Sequence, residues 1–205
     1  MAGIYLKLGT VRSMKSSNLI NTAHRYEDKG TGIFCFKSER DTRDIGVIAS
    51  RNGLSRPCYT LKDTDNLISK VFSEREKMKD IHNKELEILL IDECQLLSLE
   101  HCKQILFLSR YFSILLYGLR SDFKANTWEA VSFLENFAKD VEEVKNPCQY
   151  CSSLAKLNLR LVNGEPVVTG DSISIDEDLT KSEYIPVCPK CYAEKVFFKD
   201  ILNNI

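Results

Sequence analysis

The 205-residue sequence has no apolar run long enough to span a membrane as a helix. Its start, MAGIYLKLGT, lacks the basic opening, long apolar stretch and cleavage site of a signal peptide, so the chain is expected in the cytosol. Charge of one sign is not in excess. Lys and Arg number 28 against 29 Asp and Glu, a net charge of −1, so no global field draws the chain to nucleic acid or a membrane surface. Internal repeats, low-complexity tracts and long disordered linkers are absent as well. What remains is ordinary for a globular protein, with 43% hydrophobic and 28% charged residues. The length suits one large domain, or one domain with a small appendage.

A disulfide framework is not expected in a cytosolic chain, so the eight cysteines need another reading. Cys35, Cys58, Cys94 and Cys102 are scattered and read as small buried hydrophobes. The others form two pairs, Cys148-x-x-Cys151 and Cys188-x-x-Cys191. Each pair supplies two thiolates from a tight turn, stiffened by Pro147 and Pro189, and together they have the spacing of a tetrahedral four-cysteine zinc site. A redox dithiol is the alternative, but it is usually single and set beside a βαβ unit. With all four positions taken by protein, the zinc would be structural. It would tie the base of the segment from Ser152 to Val187.

Along the chain, strands alternate with helices. Residues 3–8, 32–37 and 45–49 read as strands, and 86–92 and 113–118 as strands buried on both faces. Residues 15–28 suit a helix with Leu19, Ile20, Ala23 and Tyr26 on one face. Helices are also expected over 64–78, over 99–111 capped by Ser98, and over 127–138. This alternation predicts an α/β fold, a parallel sheet flanked by helices. Beyond residue 140 the texture changes to paired cysteines, a β-like stretch over 157–175 with a hairpin signal at Asn163-Gly164, and a short terminal helix. We expect a nucleotide-binding domain over residues 1–145 and a small metal-binding domain over 146–205.

Two features suggest nucleotide chemistry. GTVRSMKS, residues 9–16, nearly spells a phosphate loop, with Gly9, Lys15 and Ser16 in register and Met14 where the second glycine belongs. In such a loop, backbone N–H groups and a helix N-terminus converge on an anion. Lys15 would reach the β and γ phosphates and Ser16 would hold Mg²⁺. An ordinary strand-to-helix turn is the plainer alternative. The second feature is ILLIDE, residues 88–93, a buried strand ending in two carboxylates. Asp92 fits the acid that serves Mg²⁺ from a neighbouring strand, leaving Glu93 to take a proton from an attacking hydroxyl. A charged strand end facing solvent would look the same.

These parts, in this order, resemble the zinc-containing type II thymidine kinases over nearly the whole chain. The resemblance is carried by Lys15-Ser16, Asp41-Thr42-Arg43, Asp92-Glu93-x-Gln95, Gly118-Leu119-Arg120-Ser121-Asp122-Phe123, the cysteine pairs, and Tyr184-Ile185-Pro186-Val187-Cys188. DTRD…SRNG and YGLRSDF look most like phage and bacterial versions; a phage-encoded enzyme would work in the host cytoplasm. The resemblance implies transfer of the γ-phosphoryl group of ATP to the 5′-hydroxyl of thymidine or a related pyrimidine deoxynucleoside. Glu93 would be the general base. Gly9, Thr10, Val11, Arg12, Ser13, Met14, Lys15 and Ser16, with Asp41 and Arg43, would bind ATP, and Ser16 and Asp92 would serve Mg²⁺. A lasso-like loop rooted in the zinc module would cover the nucleoside, with Tyr184 packing on the base and Phe123 and Trp128 walling the pocket. Gln95, Leu96 and Asn158 complete the implied nucleoside set. Plain core packing is the alternative for the aromatic residues. The family is commonly tetrameric and inhibited by dTTP.

The chain departs from the family pattern in places. Met14 stands where a glycine usually permits positive φ, which costs an L-residue roughly 1–2 kcal/mol. Arg12 replaces an aromatic residue and would add charge beside the triphosphate. Leu96-Leu97 replaces two phenylalanines, and Asn158 replaces a threonine before the retained Arg160. A second reading is therefore a catalytically impaired relative that binds nucleotides as a sensor or assembly component. A zinc-ribbon nucleic-acid binder is disfavoured by the missing basic patch and the acidic stretch DSISIDEDLT.

Overall fold

The computed structural model describes residues 2–172 and 182–198, which divide into two compact units. The first comprises residues 2–8, Met14–Gly118 and Glu129–Glu143. The second comprises Gly9–Ser13, Leu119–Trp128 and the described residues from Val144 onward. Two short segments from the first 145 residues thus group with the C-terminal part.

The chain opens with β1 (Gly3–Gly9), α1 (Lys15–Glu27) and β2 (Gly32–Ser38). Three short strands follow: β3 (Val47–Ala49), β4 (Ser55–Pro57) and β5 (Tyr59–Leu61). Next come α2 (Leu67–His82), β6 (Leu86–Asp92), a single 3-10 turn at Cys94–Leu96, α3 (Leu99–Leu108), β7 (Ser113–Leu119), α4 (Glu129–Glu135) and β8 (Asp140–Val144). The last elements are β9 (Leu157–Val162), β10 (Glu165–Val167), β11 (Ser182–Val187) and α5 (Pro189–Val196).

The main sheet has six strands in the order β5-β2-β6-β7-β1-β8. Parallel ladders join β2 to β5, β2 to β6 and β6 to β7. The apolar strands β6 and β7 lie in the interior of the sheet, which explains runs such as LEILLID and SILLYGL. On one face Leu19, Ile20 and Ala23 of α1 pack with Ile33, Ile88, Leu90, Leu115 and Tyr117. Tyr26, expected on that face, is exposed instead. The asparagine Asn66 caps α2 by accepting Ser69 N–H at 2.9 Å, and Ser98 caps α3 by accepting His101 N–H at 3.2 Å.

Several elements differ from the sequence expectation. The strand expected at 45–49 is shorter and pairs antiparallel with β4 in its own ribbon. The edge strands β5 and β8 carry no apolar run and were not anticipated. The acid-bearing strand β6 is not the neighbour of β1, because β7 lies between them.

In the second unit, β10-β9-β11 form an antiparallel sheet. Asn163 and Gly164 turn the β9–β10 hairpin with φ of 53° and 82°, the two left-handed residues that a tight hairpin needs. The small core contains Leu159, Leu161, Ile185, Val187 and Tyr192 together with Cys148, Cys188 and Cys191. The terminal helix α5 begins on Pro189, with Cys188 as its N-cap. Most of the acidic stretch DSISIDEDLT, residues 173–180, lies outside the described residues.

Candidate active site and metal centre

In the first unit, the phosphate-loop end is built on the start of α1. Met14 is the N-cap residue, with φ 62° and ψ 28°, and it supplies no side-chain cap. Met14 is 58% exposed, so the left-handed position is held by a residue open to solvent. No acidic residue stands in the first turn of α1, so its N-terminus keeps its partial positive charge. Lys15 is buried at this turn, and desolvation lowers its pKa against the opposing pull of Glu93 and Asp92.

The Ser16 hydroxyl donates to Asp92 Oδ2 at 2.9 Å. Asp92 is buried, and its pKa is pushed up to about 7, first by burial and then by the charge of Glu93. Two adjacent carboxylates at a dry strand end ask for positive charge. The hydroxyl and carboxylate oxygens are the hard donors that Mg²⁺ prefers.

Glu93 itself is in the left-handed region, with φ 50°. That bend turns the chain out of β6 and into the 3-10 turn. Its carboxylate accepts from Arg43 Nη2 at 2.9 Å and from the Gln95 side-chain amide. Arg43 Nε donates to Asp41 Oδ1 at 2.8 Å, and Asp41 Oδ2 accepts from Lys37 Nζ at 3.1 Å. Glu93 is thus one end of a continuous network through Arg43, Asp41 and Lys37. Gln95 fits only because Gly118 has no side chain: a Cβ there would lie 2.6 Å from both Gln95 Oε1 and Cys94 Sγ. Leu96 is buried on the same turn. Buried Lys37 escaped the sequence reading; a charged residue ending GIFCFK, four before Asp41, was the available signal.

In the second unit, the other half of the loop folds back on itself. A Cβ on Gly9 would sit 2.6 Å from Ser13 Oγ, so the glycine is needed for close approach. The side chain of Asn146 donates to Thr10 Oγ1 and to the Val11 carbonyl, both at 3.0 Å. Arg12 has φ 62°, and its guanidinium forms an ion pair with Glu183 of β11. Asn158 Oδ1 accepts Val11 N–H at 2.8 Å, while its Nδ2 donates to the Ser121 carbonyl at 3.1 Å. The rings of Phe123 and Tyr184 meet edge-on at 6.0 Å, and the Arg160 guanidinium lies 5.5 Å from the Phe123 centroid. Tyr192 OH donates to the Phe123 carbonyl at 2.8 Å. Trp128 is half-buried, and its Nε1 is buried without a hydrogen-bond partner among the described residues. Neither Asn146 nor the buried Asp122, which accepts from Lys124 N–H, Asn126 N–H and Ser172 Oγ, was given a role by the sequence.

The same unit holds the four paired cysteines. Their sulfurs all lie within 4.8 Å of one another, a cluster able to hold a metal ion. Cys151 Sγ is 3.6 Å from Cys188 Sγ and 3.7 Å from Cys191 Sγ, far beyond a disulfide. Backbone N–H groups of Tyr150 and Cys191 point at Cys148 Sγ and Cys188 Sγ at 3.4 Å, as thiolates require. The Cys151 thiol is lowered to about 6, chiefly by hydrogen bonds from Ser153.

A parallel sheet, a buried lysine at the start of α1 and a strand-end acid bonded to the neighbouring Ser16 hydroxyl are the parts of a P-loop nucleotide-binding protein. The sequence model of the thymidine kinase family matches residues 2–192, and the chain belongs to that family. It is 36% identical over 198 residues to a protein named thymidine kinase from Streptococcus agalactiae, covering 94% of this chain and 97% of that one. It is 34% identical over 207 residues to the thymidine kinase of Streptococcus gordonii, covering both chains fully. A crystal structure of Pif1 helicase from Candida albicans matches at a TM-score of 0.41 and 14% identity, over 71% of this chain and 36% of that one.

Proposed function

We propose that the protein is an ATP-dependent thymidine kinase, acting on thymidine or a closely related pyrimidine deoxynucleoside. The observation that carries this is the Lys15, Ser16, Asp92 and Glu93 group at the carboxyl ends of β1 and β6, in a chain of the thymidine kinase family. A catalytically impaired relative is not favoured, because all four groups are present and the similar proteins carry the kinase name.

Lys15 holds the β and γ phosphates of ATP. Glu93, oriented by Arg43 and Gln95, accepts the proton of the 5′-hydroxyl as its oxygen attacks the γ phosphorus. The new bond joins O5′ to phosphorus, the bond from phosphorus to the bridging oxygen breaks, and ADP carries away the electron pair. Ser16 and Asp92 would hold Mg²⁺, which would supply positive charge against the triphosphate. In the second unit, the edge-on Phe123–Tyr184 pair is the aromatic corner we assign to the base.

For the cysteine cluster we propose zinc. A tetrahedron with Zn–S bonds of about 2.3 Å has sulfur–sulfur edges of roughly 3.8 Å. The distances of 3.6 and 3.7 Å support that size. A homotetramer and inhibition by dTTP belong to the same reading. Light scattering and dTTP addition to the assay check them.

The test is phosphorylation of thymidine, deoxyuridine and deoxycytidine by the purified protein with Mg²⁺-ATP. The reading expects dTMP from thymidine. A folded, metal-loaded sample that makes no nucleotide from any of the three overturns it.

A further inference from the structure

Lys37 stands near the end of β2, beside Asp92 across the parallel ladder to β6, and it is 2% exposed. A lysine is almost never buried to this degree without partners. Here Nζ donates to Asp41 Oδ2 at 3.1 Å and to the Arg43 carbonyl. The ammonium is covered, so it is not a group that meets a phosphate of ATP. An apolar side chain of similar length would fill the place without burying a charge, so packing alone does not account for the lysine. Lys37, Asp41, Arg43, Asp92 and Glu93 all belong to the first unit.

Both acceptors of Lys37 belong to the turn that carries Arg43. The Arg43 side chain is 66% exposed, yet it is held along its length. Asp41 Oδ1 accepts from the Arg43 backbone N–H at 3.3 Å and from its Nε at 2.8 Å, and Nη2 donates to Glu93 Oε1 at 2.9 Å. A long exposed side chain loses rotamer freedom in such a place, and an exposed ion pair contributes little against that loss. The arginine therefore stays on Glu93 only where its own turn is fixed. Lys37 fixes that turn by gripping the Asp41 carboxylate and the Arg43 backbone at once. We propose that Lys37 is a positioning residue for phosphoryl transfer, which holds Asp41 and Arg43 so that Arg43 orients the Glu93 carboxylate. This rests on the kinase reading above, in which Glu93 is the base.

The experiment measures steady-state thymidine phosphorylation by metal-loaded wild type, Lys37→Met, Arg43→Ala and the double variant. Methionine keeps much of the lysine's volume and removes the ammonium. In Lys37→Met, kcat is expected to fall about 10- to 100-fold, the cost of a misplaced catalytic group, with KM for thymidine unchanged. Both substitutions act through the same arginine, so the double variant is expected to be no slower than Arg43→Ala alone. Losses that multiply would overturn the proposal, because a lysine that only stabilises the fold acts independently of Arg43. Wild-type kcat in Lys37→Met, or a raised thymidine KM with kcat unchanged, would overturn it as well. Where Lys37→Met fails to fold, Asp41→Asn weakens the same link with less change of shape, and wild-type kcat there counts against the proposal in the same way.

Wild type that makes no nucleotide defeats the kinase reading itself. NMR of the arginine side chains still judges the role of Lys37 in that case. The Arg43 Nε–H is expected to exchange slowly with solvent in wild type and faster in Lys37→Met; equal rates would refute the positioning role.

Discussion

At the residue scale, Met14 is the most telling position. The sequence shows only that a glycine is missing; the backbone shows that its left-handed conformation is kept and that the side chain is turned into solvent. The departure therefore strains the loop. Met14→Gly is expected to stabilise the protein by about 1 kcal/mol and to tighten ATP binding by up to about tenfold. Thermal melts and calorimetry check both, and weaker binding would mean that the loop is built around methionine. Gly118 makes the opposite case. Its replacement by alanine drives a Cβ into Gln95 Oε1 and Cys94 Sγ. Overpacking of this kind costs roughly 1–3 kcal/mol. Because Gln95 holds Glu93, kcat should fall more than the change in melting temperature alone explains. A destabilised variant with wild-type kcat would contradict that link.

At the element scale, the strongest signals in the sequence were the apolar strands and the capped helices. LEILLID and SILLYGL announced interior strands because burial on both faces leaves no polar alternation. Ser98 announced α3 because its hydroxyl replaces a missing backbone partner. The edge strand DVEEV was invisible, since an edge needs neither an apolar run nor alternation, and β5 has only three residues. The site divides the same way. Lys15, Ser16, Asp92 and the cysteines follow from local spacing. The grip of Asn146 on Thr10 and the pairing of Arg43 with Glu93 join residues far apart in the chain and leave no local trace.

The short strands β3 and β4 also have an anchor that pattern alone did not reveal. Arg56 of β4 reaches Glu27 at the end of α1 with both guanidinium nitrogens, and this hydrogen bonding lowers the Glu27 pKa. A depressed carboxylate stabilises the fold above its ordinary value of 4.5, and that contribution is lost as pH falls through the lowered folded value. Glu27→Gln should therefore cost about 1 kcal/mol near neutral pH, a figure already reduced for partial exposure, and nothing in strong acid. Urea melts at the two pH values decide it, and a cost independent of pH would refute the ionic account.

At the scale of the whole molecule, the second unit has a small apolar core, and three of its four paired cysteines belong to it. Small units of this kind depend on a staple. Metal removal should expose the amides of β9 and β11 to exchange while β6 and β7, buried in the main sheet, stay protected. Hydrogen exchange before and after chelation checks this. Equal protection in both states would mean that the cluster does not hold the unit together.

Glu93, beside Asp92 and Lys15, is the base we propose for phosphoryl transfer. The most direct test is the rate of thymidine phosphorylation by Glu93→Gln relative to wild type, with melting temperature and metal content matched. The account predicts a fall of about 10²- to 10⁴-fold, the usual contribution of a positioned general base. Turnover at the wild-type rate would contradict it.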